Sequence, residues 1–151
     1  MTHTALYDSP IGLITLTFDG EALTRLCFGV YDTNCASQLP TKVHRWLNLY
    51  FSGRQPDFMP PINQSGTGFQ LRVWKALLDI PYGQTISYGE LARRIGCRSA
   101  QAIGQAVGRN PIAIIVPCHR VIGSDGSLVG YEWGLERKQY LLQLEKQYNP
   151  I

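Results

Sequence analysis

A stretch rich in proline, glycine and polar side chains, Pro56 to Gly68, interrupts this chain of 151 residues near its middle. Such composition is typical of a linker, and a chain of this length can form one large or two small domains. We therefore predict a small α/β domain at 1–62 and a second domain at 67–151. Hydrophobic residues make up 44% of the chain and charged residues 17%, which suits packed cores and excludes a disordered protein.

Several classes of protein are excluded by what the sequence lacks. Its apolar runs stay well short of the ~18 residues that a membrane span requires, and its start carries neither the basic nor the apolar region of a secretion signal. The 4 cysteines are too few for a disulfide scaffold of this length. We expect a globular, cytoplasmic protein with no membrane segment; whether Cys27 and Cys35 pair stays open.

The first half predicts an antiparallel sheet followed by a helix. Residues 4–28 alternate β-branched and polar side chains around two turn signals, SPIG and DGEA, which predicts three short strands. The segment 42–53 has helical periodicity and is stopped by Gly53. The histidines and cysteines of this half fit no usual zinc spacing, so we expect no metal. They are His3, Cys27, Cys35 and His44.

The second half predicts shorter and mostly helical elements. A first helix begins near Phe69. Ser87 forms an S-x-x-E capping box with Glu90 and opens a second helix, and Ser99 caps a third. A tight turn containing Gly96 joins the last two. This arrangement indicates a helix-turn-helix motif, although an ordinary helical hairpin fits the pattern equally well.

The helix after Ser99 is composed largely of small residues, although each helical glycine costs about 1 kcal/mol relative to alanine. These residues are Ala100, Ala102, Gly104, Ala106 and Gly108. Small side chains let another backbone come close. The partner is either another helix of this chain or the groove of DNA.

Positive charge is concentrated in the same half. The net charge is +3, and residues 66–151 carry 10 basic and 6 acidic side chains, a local excess of 10 − 6 = +4. Between Tyr88 and Arg120 there are 5 arginines, against Glu90 as the single acidic residue. Such an excess favours a polyanion such as nucleic acid, although scattered surface arginines are common.

The strongest chemical signal follows an apolar run. Residues 112–116 predict a buried strand, and Cys118, His119 and Arg120 lie just beyond it. A free cysteine is mostly protonated at pH 7. A nucleophilic cysteine therefore needs an adjacent base and a nearby positive charge, and His119 and Arg120 are of these two types. The alternative is an inert buried cysteine beside a structural histidine.

The last predicted helix places a carboxylate on its apolar face. Glu145 stands four residues after Leu141 and three after Leu142, so all three share one side of the helix. A buried carboxylate needs a partner, and His119 is a candidate. Cys118, His119 and Glu145 then have the roles of nucleophile, base and orienting group. Alternatively, Glu145 lies at the edge of that face and pairs with a surface arginine.

These residues belong to longer motifs. The stretch PCHRVIGSDGSLVGY, with ISYGELA and IGQAVGRNP before it and LLQLE after it, closely resembles the O6-alkylguanine-DNA alkyltransferases, also called methylated-DNA–protein-cysteine methyltransferases. The resemblance is strong over residues 67–147 and weak before them. It implies a ribonuclease-H-like α/β domain, then a mostly α domain with a winged helix-turn-helix in which SDGSLVGY makes the wing. It also implies direct-reversal repair without a cofactor, in which an alkyl group on O6 of guanine, or on O4 of thymine, moves once and irreversibly to the protein's own cysteine.

The resemblance assigns catalytic roles by position. Cys118 is the alkyl acceptor, His119 acts through a bound water as the base, and Glu145 fixes the imidazole tautomer. Tyr88 donates to guanine N3, so that guanine leaves as a neutral molecule. Asn110 holds the turn between the DNA-binding helix and the active-site strand.

Substrate-binding roles follow in the same way. The carbonyl groups of Cys118 and Val121 accept the exocyclic amine of guanine, and the N–H of Glu132 faces O6. Tyr131 and Trp133 belong to the same pocket loop. The indole of Trp133 stands where some members have glycine, so we expect a narrow pocket that accepts methyl and ethyl adducts and disfavours benzyl.

The resemblance also places the small-residue helix in the minor groove of double-stranded DNA, with the damaged nucleotide flipped out of the stack. Gln101 stands where the family often has an arginine that fills the resulting gap. The other predicted DNA-binding residues are Ala100, Ala102, Gly104, Gln105, Arg98 and Arg109. We expect the protein to act as a monomer.

Two other functions remain open. A non-enzymatic lesion-binding module, like the alkyltransferase-like proteins, flips damaged bases and recruits excision repair, but those proteins lack the cysteine. A cysteine hydrolase uses the same three groups on an acyl carbon, but it needs an oxyanion hole that no sequence feature indicates.

Overall fold

The computed structural model describes residues 2–29 and 38–147. The chain divides into two compact units, residues 1–65 (unit 1) and 66–151 (unit 2), and the division falls inside the proline- and glycine-rich segment. Cys35 lies outside the described residues, and Cys27 is a buried free thiol.

Unit 1 begins with the predicted antiparallel sheet. Strands β1 (Thr2–Ser9), β2 (Gly12–Asp19) and β3 (Ala22–Phe28) follow one another in the order β1-β2-β3, which confirms the three predicted strands. Both turns fall at the predicted signals. Gly20, in the second turn, has φ 63°, a left-handed conformation that glycine adopts without strain.

Helix α1 (Thr41–Phe51) ends two residues before Gly53 and confirms the predicted helix. The Tyr7 hydroxyl of β1 donates to Asn48 Oδ1 of α1 at 2.7 Å. Because strand side chains alternate between faces, one face of the sheet is apolar and shares a core with α1. The buried members of this core are Ala5, Ile14, Leu16, Phe18, Leu23, Leu26, Phe28, Val43, Trp46, Leu47 and Tyr50.

Unit 2 contains four α-helices in its described part: α2 (Gly68–Leu77), α3 (Tyr88–Arg94), α4 (Ala100–Gly108) and α5 (Leu135–Gln147). The first three start at side chains that accept a hydrogen bond from the first turn, which satisfies an otherwise unpaired N–H. These N-cap residues are Thr67, Ser87 and Ser99.

The helix-turn-helix consists of α3 and α4. Gly96 has φ 72° in the turn between them, and Trp74 Nε1 of α2 donates to Ala106 O of α4 at 2.8 Å, which anchors the second helix. One detail of the prediction is wrong. Ser87 caps α3, but the Glu90 side chain forms ion pairs with arginines of its own helix and does not complete a capping box.

The predicted strand at 112–116 is wrong, although the segment is fully buried. The N–H of Ile115 donates to Ala113 O at 2.8 Å, and that of Val116 to Ile112 O at 3.2 Å. These local turns take up residues 113–115, and Ile112 alone in this segment forms an isolated β-bridge. A short apolar run does not distinguish such a segment from a buried strand.

Two short strands, β4 (Ile86–Ser87) and β5 (Val121–Ile122), pair in parallel directly before α3 and directly after the Cys118–Arg120 turn. The predicted wing, 124–131, contains no strand and is a loop. Its start is a tight turn in which Gly123 N–H donates to Ser127 O at 2.9 Å. Within the described part of the chain, no helix is long and apolar enough to cross a membrane.

Candidate active site

Cys118 opens a short 3-10 turn, Cys118–Arg120, at the end of the buried segment. Its N–H donates to Val116 O at 2.8 Å. Pro117 between them has φ −83° and ψ 67°, the conformation of an inverse γ-turn. Tightly turned backbone therefore positions the thiol, and the residue is 6% exposed.

Asn110, buried just beyond α4, fastens both ends of this segment. Its Nδ2 donates to Ile112 O at 3.2 Å and to Val116 O at 2.8 Å, and its Oδ1 accepts from Ile112 N–H at 3.1 Å. Between these points Ile114 has φ 71°, which is rare for a β-branched residue. The asparagine amide thus stabilises a strained backbone directly before the thiol.

A buried network connects His119, Arg120 and Glu145. His119 Nε2 lies 2.6 Å from Glu145 Oε2. Arg120 holds the same carboxylate with two donors, Nε at 2.8 Å and Nη2 at 3.1 Å. Gly83 N–H also donates to it at 3.1 Å, and Arg120 Nη1 donates to Ile80 O at 2.7 Å. The predicted pairing of Glu145 with His119 is confirmed. The alternative of a surface arginine at the edge of the helix face is wrong, because Glu145 is fully buried and its arginine partner, Arg120, is buried with it.

This network determines the protonation of His119. Burial lowers the pKa of His119, and Arg120 lowers it further, while Glu145 opposes both. Burial alone would raise the pKa of Glu145, but His119 and Arg120 hold it well below its usual range. An ionised carboxylate only accepts hydrogen bonds, so His119 Nε2 carries the ring proton and Nδ1 carries the lone pair. The imidazole is therefore a neutral base with a fixed tautomer.

The thiol itself is not strongly acidic in this environment. Burial raises the pKa of Cys118 to about 11, while a hydrogen bond from Asn110 and the charge of Lys138 oppose the increase. The sequence pointed to Arg120 as the positive charge beside the thiol. Arg120 is engaged with Glu145, so the cation that favours the thiolate is Lys138.

Lys138 was missed by the sequence reasoning. It is fully buried on α5, and its Nζ donates to the carbonyl oxygens of Val121 at 2.6 Å, Val129 at 2.8 Å and Gly130 at 3.3 Å. A signal existed, because Lys138 lies seven residues before Glu145 and therefore on the same helical face.

Cys118 lines a small pocket of about 250 Å³, part of it open to solvent. The pocket lies between the start of the active-site turn, the end of α4 and the loop 130–133, which begins at the end of the predicted wing. Its lining residues are Val107, Gly108, Asn110, Cys118, Gly130, Tyr131, Glu132 and Trp133. Three of the predicted substrate-binding residues, Tyr131, Glu132 and Trp133, thus share the pocket with the thiol. Val107 and Gly108 also line it, and the sequence did not indicate a pocket role for them.

Two further groups that the resemblance places at the substrate, the Tyr88 hydroxyl and the Val121 carbonyl, are engaged within the protein. The Tyr88 hydroxyl donates to Val129 O at 3.1 Å and lies 3.3 Å from Gly130 O. The Val121 carbonyl accepts from Lys138. Burial raises the pKa of Tyr88, and Cys118 raises it further, so the phenol stays protonated and able to donate.

The predicted DNA-binding residues lie outside this cluster, on α4 and beside it. Exposed among them are Arg98, Ala100, Gln101, Gln105 and Arg109, and half-buried are Ala102 and Gly104. A Cβ atom added at Gly104 or Gly108 would meet nothing within 4 Å in the described structure. The fold itself therefore does not require these two glycines.

Residues 2–29 and 38–147 contain no group of three or more His, Cys, Asp or Glu side chains that could hold a metal ion. The sequence predicts a cysteine nucleophile and a helical surface for DNA, and neither of them requires a cluster of metal-binding side chains.

Comparison with known proteins gives matches across both units. Residues 68–147 match the DNA binding domain of 6-O-methylguanine DNA methyltransferase, and residues 2–64 match the ribonuclease-like domain of the same family. The methylated-DNA–protein-cysteine methyltransferase of Mycobacterium tuberculosis is 48% identical, over 99% of this chain and 96% of its own length. That of Methanosarcina acetivorans is 45% identical, over 93% and 96%.

Solved structures agree with the sequence matches. The crystal structure of Mycobacterium tuberculosis OGT in complex with DNA has a TM-score of 0.87 and 49% identity, and covers 98% of this chain and 95% of that one. An O6-methylguanine DNA methyltransferase from Methanococcus jannaschii has a TM-score of 0.71 and 27% identity, over 93% and 92%. This chain belongs to the 6-O-methylguanine DNA methyltransferase family, with a ribonuclease-like domain followed by the DNA-binding domain.

Proposed function

We propose that this protein repairs DNA by taking the methyl group from O6 of guanine onto Cys118, in a single irreversible turnover. The observation that carries the proposal is the placement of one thiol in a pocket beside a neutral histidine with a fixed tautomer. Membership of the family indicates methyl transfer from guanine to a cysteine. The pocket indicates that this cysteine is Cys118.

Three groups perform the proposed chemistry. His119 accepts the thiol proton, directly or through a water molecule, and leaves the Cys118 thiolate as nucleophile. The sulfur attacks the methyl carbon in line: the S–C bond forms, the C–O6 bond breaks, and its electron pair stays on the guanine. Tyr88 donates toward N3, so the guanine leaves as a neutral base. Its hydroxyl must exchange its bond to the 129–130 carbonyls for one to the substrate.

The product explains why the reaction occurs once. S-methylcysteine is an unactivated thioether, and a nucleophile that removed its methyl group would have to break the S–C bond and displace the Cys118 thiolate. Each molecule therefore repairs one lesion. We extend the proposal to O4 of thymine, where the same methyl carbon is attached to a similar aromatic oxygen.

Helix α4 is the proposed reader of double-stranded DNA, through the minor groove. Its exposed side chains are uncharged, and the open space above Gly104 and Gly108 lets a sugar–phosphate backbone come close. Arg98 and Arg109 flank it and supply phosphate contacts, and Gln101 occupies the space of the flipped base. A methyl carbon in a base stack cannot be reached in line by the sulfur, so extrusion of the nucleotide is part of the proposal.

We propose a cytoplasmic monomer that needs no metal or cofactor.

The decisive experiment mixes the protein with duplex DNA that carries one O6-methylguanine and examines the Cys118 peptide by mass spectrometry. We expect one added CH₂ per protein molecule, and none in Cys118→Ser, with Cys97→Ser as the matched control. Binding without a gain in mass would indicate a lesion-binding module. Repeated turnover of an ester substrate would indicate a hydrolase. Stoichiometric zinc in elemental analysis would contradict the metal-free proposal.

A further inference from the structure

A buried ammonium group binds the loop that lines the proposed substrate pocket. Lys138 has no exposed surface, and its Nζ donates to three backbone carbonyl groups, those of Val121, Val129 and Gly130. Burying an ammonium is costly unless it is well paired. Three carbonyls match the three N–H donors of a lysine, so this is a complete cation site formed by the chain itself.

The three carbonyls belong to two segments that the proposed reaction needs in fixed positions. Val121 follows the Cys118–Arg120 turn directly, and Val129 directly precedes Gly130, which lines the pocket. Tyr88 shares the second pair of acceptors, and the Lys138 Nζ lies 5.9 Å from the centre of its ring. The ammonium therefore connects the turn that carries the thiol, the pocket loop and the tyrosine.

The ammonium also acts on the thiol through its charge. It opposes the effect of burial on the pKa of Cys118, and a Cys118 thiolate in turn favours protonated Lys138. Burial lowers the pKa of Lys138 to about 8, so the charge is present at neutral pH. The other titratable groups that interact with this thiol are Glu132 of the loop, Tyr88 of α3 and Tyr131. Glu132 carries negative charge and the two tyrosines are neutral, so none of them replaces the cation.

We propose that Lys138 is the positioning residue of this active site, holding the pocket loop against the thiol-bearing turn while its charge stabilises the Cys118 thiolate. The proposal rests on the proposed function, because it gives Cys118 the role of nucleophile. It divides the work between two groups: His119 removes the proton, and Lys138 stabilises the anion that remains. The side chain itself never contacts the transferred methyl group.

The test separates charge from hydrogen bonding by three variants. Lys138→Arg keeps both, Lys138→Gln keeps donors without charge, and Lys138→Met removes both. Lys146→Met, which removes an exposed cation from the same helix, is the matched control. The readout is the rate at which iodoacetamide alkylates Cys118 across pH 6 to 10, followed on its peptide by mass spectrometry. In this reaction a new S–C bond forms and iodide leaves, so the rate reports the thiolate without DNA.

We expect the Gln and Met variants to shift the alkylation profile to higher pH by about one unit, which makes them roughly tenfold slower at pH 7.5. Lys138→Arg should recover most of the rate, and Lys146→Met should match the unaltered protein. Methyl transfer from O6-methylguanine DNA should slow in parallel. A folded Lys138→Gln or Lys138→Met protein with an unshifted profile overturns the proposal. If the profile shifts but the unaltered protein takes no methyl group from DNA, the proposed function fails while the role of Lys138 in thiol ionisation stands.

Discussion

The two units of this molecule bury very different chemistry. In unit 1, the buried polar residues of the described chain are both uncharged. These are Ser9 and Thr15. In unit 2, one asparagine and four chargeable side chains are buried, and all five lie between the end of α4 and the end of α5. These are Asn110, His119, Arg120, Lys138 and Glu145.

The two units therefore gain their stability in different ways. A sheet and a helix with an apolar shared core need no buried charge, and unit 1 is of this kind. In unit 2 the desolvation of several charged side chains is unfavourable. Hydrogen bonds and ion pairs to specific partners offset this cost. Its stability is therefore tied to the groups that we assign to chemistry, whereas the stability of unit 1 is not.

The largest effect is expected from Glu145→Gln. Loss of the carboxylate leaves the Arg120 guanidinium buried without its counter-charge, which should cost about 3–5 kcal/mol of unfolding free energy. Methyl transfer should slow about a hundredfold or more, because the tautomer of His119 is no longer fixed. Urea unfolding followed by hydrogen exchange of α5 peptides measures the first effect, and single-turnover kinetics the second. Glu136→Gln, in the exposed first turn of α5, should change neither. Equal urea midpoints for Glu145→Gln and the unaltered protein would contradict the role of the network.

A core truncation in unit 1 should separate stability from chemistry. Leu16→Ala removes a fully buried side chain of β2 and should destabilise this unit by about 2–5 kcal/mol. Leu13→Ala, on the same strand but 41% exposed, is the control and should cost far less. At temperatures where the protein stays folded, we expect both variants to transfer methyl groups within about twofold of the unaltered rate. A large loss of methyl-transfer rate in folded Leu16→Ala would show that the chemistry depends on the core of unit 1.

Acid should affect unit 2 before unit 1. The pKa values of His119 and Glu145 are both lowered in the folded protein, so the unfolded state takes up protons first as the pH falls. Stability from His119 is complete above about pH 6.5 and declines below it, and stability from Glu145 declines below about pH 4.3. Segment-resolved hydrogen exchange at pH 7.5 and pH 5.5 should show faster opening of α5 at the lower pH, with little change in β2. Uniform acceleration in both units would argue against this assignment.

The smallest expected effect concerns the width of the pocket. Trp133 lines it beside Cys118, so Trp133→Gly should speed inactivation by free O6-benzylguanine roughly tenfold and leave methyl transfer unchanged. The measurement compares residual methyl transfer after timed exposure to O6-benzylguanine. Rapid inactivation of the unaltered protein would show that the indole does not restrict the pocket.

Much of this architecture is predictable from the sequence, because local patterns determine it. Alternation gives the three strands, serine caps give α3 and α4, and the position of Glu145 on an apolar face requires a buried partner. The prediction of a strand at 112–116 is wrong because the turns of this segment depend on hydrogen bonds from the Asn110 side chain. The apolar sequence of the segment does not reveal these hydrogen bonds.

The positive charge beside the thiol was assigned to the wrong residue for a related reason. Arg120 is adjacent to the thiol residue in sequence, but a planar guanidinium fits the Glu145 carboxylate with two parallel bonds, and this pairing directs it elsewhere. Lys138 is distant in sequence, and its partners are backbone carbonyls that no side-chain motif reveals.

Gly104 and Gly108 determine which stabilising substitutions are open to helix α4 as the sequence evolves. Alanine at either position would meet no neighbour within the described structure and would favour the helix by about 1 kcal/mol. Selection for thermostability alone would therefore convert both to alanine. Under the proposed function, these glycines keep the DNA-facing side of α4 free of methyl groups, so a variant with alanine at both positions should keep its fold and bind the lesion less tightly.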